Sequence, residues 1–331
     1  MSRSPHRHLT PDGRPVAVTR GRPGRVPTLV FAVATVVLVS SPASASVADT
    51  TSFGTAVNLD DNGRGSSAVA IGDLNNDGTP DLVTAIRGEG LGVFLGSGGG
   101  SFGAVTKYAA PRTASSSFLR SAVIRDVNGD GRMDVISQDS RGNVALVWLG
   151  DGSGALGSGT AVQLNPRPGC DTTGDNPCVA RFPTDVAVGD FDEDGKPDAV
   201  IVAPGSPGRV AVLLGDGAGG FGTASVLSAG ANLNSASVSD LNGDGHADLV
   251  VSSANSDEVV VLEGDGTGAF GSPLAFGLNG GSNPQATATA DLDGDGRPDV
   301  ATANSNSSAT FVKDASVLLN TTNRPPTAAN E

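Results

Sequence analysis

The chain has 331 residues, of which 47 are Gly and only 4% are aromatic, so a core built on large rings is excluded. Its formal net charge is −14, with 35 acidic against 21 basic residues. That balance argues against nucleic acid as a partner, because binding a polyanion relies on surplus Lys and Arg.

In chain order, residues 1–48 read as a secretory signal peptide. Arg3, Arg7, Arg14, Arg20, Arg22 and Arg25 precede an apolar run from Leu29 to Val39, and small-residue sites then end at Ala45 or Ala48. The run holds 11 residues, against about 20 for a bilayer span. A retained anchor is therefore the weaker alternative. The expectation is a secreted, extracellular chain with no membrane span after cleavage.

Residues 52–59, "SFGTAVNL", read as a lone strand. Five similar units follow. Each holds a short alternating apolar run, an Asp-rich loop, a second run and a third run such as "LGVFLG", "VALVWLG" or "RVAVLLG". A Gly-rich turn and a fourth run ("AVTKYA", "TASVLS") complete the unit. The loops begin at 73, 126, 190, 240 and 291, spaced by 53, 64, 50 and 51 residues. Four short strands per repeat, with no helical period, is the pattern of propeller blades. The expected fold is all-β: a β-propeller of four-stranded blades, with five blades counted over residues 49–320. The last unit ends at "SVLLN" (316–320) without a fourth run. The N-terminal strand 52–59 is expected to supply it and so cover an edge that would otherwise be unpaired. Residues 321–331 read as a polar linker or disordered tail.

The loops carry the chemistry. Position one is Asp73, Asp126, Asp190, Asp240 and Asp291; position three is Asn75, Asn128, Asp192, Asn242 and Asp293. Position five is Asp77, Asp130, Asp194, Asp244 and Asp295, position six is Gly, and position nine is Asp81, Asp134, Asp198, Asp248 and Asp299. Oxygen ligands at alternating positions, a Gly for the sharp turn and a further carboxylate are what Ca²⁺ requires. Position seven varies (Thr79, Arg132, Lys196, His246, Arg297), as suits a residue that offers only its backbone carbonyl. Up to five Ca²⁺ ions are expected. Mg²⁺ fits less well because it demands a stricter octahedron and keeps its waters. The bland alternative is a set of plain Asx turns.

A strand, a D-x-[DN]-x-D-G-x-x-D loop, a strand, and then a Gly-rich turn into Phe-Gly ("GGGSFG", "GAGGFG", "GTGAFG") together resemble FG-GAP/VCBS repeats. These are the calcium-loop blades also found in the integrin α-subunit propeller and in some fungal lectins. The resemblance covers roughly residues 49–320 and implies a calcium-binding propeller, in a family of adhesion receptors, lectins and non-catalytic parts of lyases and hydrolases. Two departures stand out. Integrin-like propellers usually have seven blades where five are counted here, and the second unit has Leu156-Gly157 for Phe-Gly.

Catalysis is not expected. Beyond residue 48, His246 is the only histidine, so a Ser-His-Asp or Cys-His arrangement is hard to build. Cys170 and Cys178 are the only cysteines, and in an exported protein their default state is a disulfide. Asp151, Asp216 and Asp265 in "GDG" read as turn formers. Trp148 reads as blade packing, with Tyr108 the other non-Phe aromatic. Phe53, Phe102, Phe221 and Phe270 read as core between blades. The expected function is a non-catalytic binding or scaffold module for protein or cell-surface partners, acting as a monomer. The alternatives are a carbohydrate-binding lectin and, behind it, a polysaccharide lyase or hydrolase. The protein or glycan partner is expected at the face opposite the calcium loops, where variable loops sit on a rigid scaffold. Arg167, Arg181 and the Cys170–Cys178 loop lead there.

Overall fold

The computed structural model describes residues 56, 58–61, 65–111, 117–164, 182–278, 283–305 and 315–322. The expected signal peptide, most of strand 52–59, the Arg167, Cys170, Cys178 and Arg181 insertion and residues 323–331 lie outside the described residues.

Five antiparallel sheets follow one another along the chain. The first has β1 (Ser66–Gly72), β2 (Asp81–Ile86) and β3 (Gly90–Phe94). A short ribbon follows, β4 (Gly96–Gly98) and β5 (Ser101–Phe102), and then the outer strand β6 (Thr106–Ala109). The second has β7 (Leu119–Arg125), β8 (Asp134–Asp139), β9 (Val144–Trp148) and β10 (Thr160–Gln163). The third has β11 (Asp185–Gly189), β12 (Asp198–Ala203), β13 (Gly208–Leu213) and β14 (Ser225–Ala229). The fourth has β15 (Leu233–Ser239), β16 (Asp248–Ser253), β17 (Glu258–Leu262) and β18 (Leu274–Gly277), with one 3₁₀ turn at Ala254–Ser256. The fifth has β19 (Pro284–Ala290), β20 (Asp299–Asn304) and β21 (Ala315–Leu318). Each repeat thus forms the expected meander. Among the described residues the fifth sheet has three strands, and Val317 and Leu319 at its outer edge are exposed.

The middle strands of the inner sheets are apolar on both sides because those sheets are buried on both faces. In β9, Val144, Leu146 and Trp148 pack toward the first sheet, while Ala145 and Val147 pack toward the third. The same division repeats in the other interfaces, giving four apolar layers between five sheets. Trp148 is fully buried, so it serves packing rather than ligand stacking. Leu156 takes the seat that Phe221 and Phe270 occupy in later repeats, each making a single bridge to the Gly that ends the third strand's run. Its shorter side chain is still buried.

The first strands of the sheets are laced to one another. Ser67 Oγ donates to Leu119 O at 2.5 Å, and Val186 N donates to Ser121 Oγ at 3.1 Å. Ala236 N donates to Asp185 Oδ2 at 3.1 Å, and Thr287 N to Ser235 Oγ at 3.4 Å. These bonds join sheets one to two, two to three, three to four and four to five. No helix of the described residues is long and apolar enough to cross a membrane.

Candidate functional site

Each inner strand runs straight into an aspartate loop, so all five loops lie at the same end of the sheets. Position one accepts backbone N–H groups from its own loop. Asp73 accepts from Asp77 and Gly78, Asp126 from Gly129 and Gly131, and Asp240 from Gly243 and Gly245. Asp291 does the same for Gly294, Asp295 and Gly296. Position three is folded back on position five. Asn75, Asn128 and Asn242 each donate through Nδ2 to Asp77, Asp130 and Asp244, and accept those residues' own N–H groups. Position five accepts the N–H of position seven in every loop: Thr79, Arg132, Lys196, His246 and Arg297.

The glycine at position six has φ between +81° and +95°, a left-handed turn that only Gly adopts without strain. Position four is also left-handed and is Asn or Gly except at Glu193, φ +57°. Glu193 uses its side chain to reach the next loop, where its carboxylate contacts His246 Nδ1 and raises the histidine's pKa.

The arrangement suits a hard cation. Ligand oxygens of Asp190, Asp192 and Asp194 lie within 4.8 Å of one another, as do those of Asp291, Asp293 and Asp299. Asp190 Oδ1 is buried and makes no hydrogen bond, so an acceptor is left that a cation would satisfy. Burial and then the charges of Asp194 and Asp192 push the Asp190 pKa up. The charged side chains at position seven other than His246 turn onto position five. Lys196 Nζ lies 2.6 Å from Asp194 and Arg132 3.8 Å from Asp130, and Arg297 pairs with Asp295. Their stems lie over the glycine of the neighbouring "GDG" turn: Arg132 on Gly152, Lys196 on Gly217, His246 on Gly266. The "GDG" turns are therefore at the loop end. Asp151 and Asp265 accept the hydroxyl and then the N–H of Ser153 and Thr267, and Asp216 accepts the N–H groups of Ala218 and Gly220, which lowers the pKa of all three.

Position nine has a second role that the sequence reading did not contain. Asp81, Asp134, Asp198, Asp248 and Asp299 are fully buried. One oxygen accepts the N–H of loop position two (Leu74, Val127, Phe191, Leu241, Leu292). The other accepts the N–H of the residue just past the third strand, which is Gly96, Gly150, Gly215, Gly264 or Asn320. The signal for this clasp was the invariant Gly in "FLG", "WLG", "LLG" and "LEG". A Cβ at Gly150 would lie 2.1 Å from Met133 O, and the other three meet their position-eight carbonyl as closely.

The opposite end holds a cavity of about 280 Å³. One residue from the start of each sheet lines it: Ser67, Arg120, Thr184, Asn234 and Gln285. All five sheets thus present a residue to one shared space. Arg87 and Phe118 complete the lining. This end was expected to carry the partner site.

Four overlapping matches to the FG-GAP-like repeat cover residues 73–137, 126–201, 190–251 and 240–302, each starting at position one of a loop. The chain belongs to the FG-GAP-like repeat family. Among solved structures, this FG-GAP-like protein is similar to a periplasmic gluconolactonase of Pseudomonas aeruginosa, with 17% identity and a TM-score of 0.51 over 72% of this chain and 63% of that one. It is also similar to a lectin of Agrocybe aegerita that recognises non-reducing terminal N-acetylglucosamine (21%, 0.49, 71% and 60%). A protein of Lactobacillus plantarum matches at 19% and 0.49, over 72% and 64%. Each match spans less than two thirds of the other chain, and at these identities the likeness concerns the fold alone. No match was found among curated proteins.

Proposed function

We propose that this FG-GAP-like protein is an exported, calcium-stabilised binding module without catalytic activity, with its ligand at the end opposite the aspartate loops. The observation that carries the calcium part is the orphaned, buried Asp190 Oδ1 inside a cluster of three carboxylates. Each loop would hold one Ca²⁺ through positions one, three, five and nine and the backbone carbonyl of position seven. The ion would supply charge neutralisation and rigidity at that end. The non-catalytic part is supported by the histidine. The side chain of His246 is held against Glu193 among the loops. The test is metal analysis of the protein purified with Ca²⁺ and again after chelation. Bound Ca²⁺ approaching five per chain, lost on chelation and regained on dialysis, is the expected result. A chain that never retains Ca²⁺ above the buffer level sinks the calcium reading.

A further inference from the structure

We propose that the cavity opposite the aspartate loops is a binding site for an acidic sugar, with Arg87 and Arg120 gripping its carboxylate. The proposal rests on the reading of this protein as a binding module and gives that module a ligand class.

Three guanidinium groups converge on one aromatic ring. Arg87 and Arg120 lie 5.4 Å and Arg141 5.6 Å from the centre of Phe118. Like charges gathered this closely repel, and contact with a ring face offsets only part of that repulsion. Among the described residues, no ion pair involves Arg87 or Arg120, although acidic residues outnumber basic ones in this chain. Both are exposed and line the cavity. The planar fork of arginine matches a carboxylate through paired N–H bonds.

The rest of the lining specifies what the carboxylate is attached to. Ser67 Oγ directs its proton to backbone carbonyls of Ala85 and Leu119, and Thr184 Oγ1 to those of Val202 and Leu233. Asn234 Nδ2 donates to Gln285 Oε1, and Gln285 Nε2 donates to Asn283. The two hydroxyls and Gln285 therefore direct their donors to protein acceptors, while Asn234 keeps an amide oxygen and one N–H for a ligand. A ligand that fits must bring an oxyanion for the arginines and hydroxyl donors for the rim. A uronic acid does both. A cavity of about 280 Å³ suits one sugar ring and lies just below the usual range for small-molecule sites, about 300–1,000 Å³. An acidic peptide would also bring a carboxylate and N–H donors; the small volume of the cavity favours a single ring over a chain, and the peptide is an outcome of the test.

The test is titration calorimetry on the calcium-loaded full chain. The probes are D-glucuronate, a glucuronate oligosaccharide, glucose, acetate and poly-glutamate. Binding of either uronate, with glucose and acetate at least about tenfold weaker, supports the site. Whether the free sugar or the oligosaccharide binds tighter identifies the source. R87Q and R120Q should each weaken uronate binding by about tenfold or more. R120K, which keeps the charge and loses the fork, should weaken it too while leaving melting and calcium content unchanged. No binding of either uronate overturns the proposal, and the calcium content measured on the same sample then shows whether the scaffold reading still stands. Unchanged affinity in the R87Q/R120Q double variant also overturns it. Binding of poly-glutamate without uronate overturns the sugar assignment in favour of an acidic peptide.

Discussion

Asp198 Oδ1 accepts the backbone N–H of Gly215 at 2.7 Å, while its other oxygen accepts that of Phe191 at 2.7 Å. One buried carboxylate thus ties the start of the loop to the end of the third strand. Asp198→Ala leaves two buried N–H groups without an acceptor, a loss of about 2–6 kcal/mol. Gly215→Ala should destabilise as well, because its Cβ would lie 2.2 Å from Pro197 O. Thermal melts in saturating Ca²⁺ check both. Wild-type melting of D198A would show that the clasp contributes nothing to stability.

Calcium removal is expected to lower the melting temperature markedly, with Ca²⁺ restoring it and Mg²⁺ doing so less well. Linkage gives about 2.7 kcal/mol per site at a hundredfold excess over Kd, so five sites could contribute on the order of 10 kcal/mol. Scanning calorimetry with and without EDTA reads this directly, and superimposable traces would contradict it.

Residues 53–56, "FGTA", repeat residues 221–224. In the third interface Phe270 stands edge-on to Phe191, with ring centres 5.4 Å apart. The corresponding place between the fourth and fifth sheets is a cavity of about 220 Å³ lined by residues including Leu241, Val259, Phe276, Val300 and Leu318. Phe276 and Leu274 are exposed there. Phe53 is expected to fill it. Phe53→Ala should cost about 3 kcal/mol, and deleting residues 52–59 should promote association through the uncovered edge of β21. Light scattering and melting test this; a monomeric, fully stable deletion variant would refute it.

Asp185 offers a pH test away from the metal loops. Its carboxylate is enclosed at the start of β11, and burial raises its pKa despite bonds from Ala236, Ser235, Val186 and Ser121. A raised folded pKa means the fold favours the protonated form. The associated stability is present below the unfolded value and is lost as pH rises through the folded pKa. Asp185→Asn removes this titration. The stability of wild type relative to D185N, at saturating Ca²⁺, should therefore increase as pH falls from 7 toward 4. A difference that is flat across that range would show that Asp185 does not titrate as the geometry requires.

The blades were legible because both faces of the inner sheets are buried. "VALVW" and "AVIVA" are continuous apolar runs, and the intervening Asp-Gly loops punctuate them. The loop chemistry was legible because it sits within nine consecutive residues. Position nine was only half legible: Asp198 looks like one more ligand, and its partner Gly215 is 17 residues away. The sequence places Arg87, Arg120 and Arg141 at the end opposite the loops, but not their convergence on one ring. Arg87, Phe118, Arg120 and Arg141 come from the ends of three strands in two sheets, and no spacing marks them. The insertion's length points instead to Arg167 and Arg181, and those positions lie outside the described residues.

The position-nine clasps also bear on the order of assembly. Their bonds join residues 7 apart on one side and 15, 16, 17, 16 and 21 apart on the other. The lacing between inner strands spans 51 to 65 residues, never beyond the adjoining repeat. Short closures are reached early because little chain entropy is lost before contacts form. A chain made from its N-terminus can complete one repeat, and fasten it at the loop end, while the next is still being added. At every stage only the two end faces of the stack are uncovered, so the aggregation-prone surface of the half-made protein stays nearly constant as it grows.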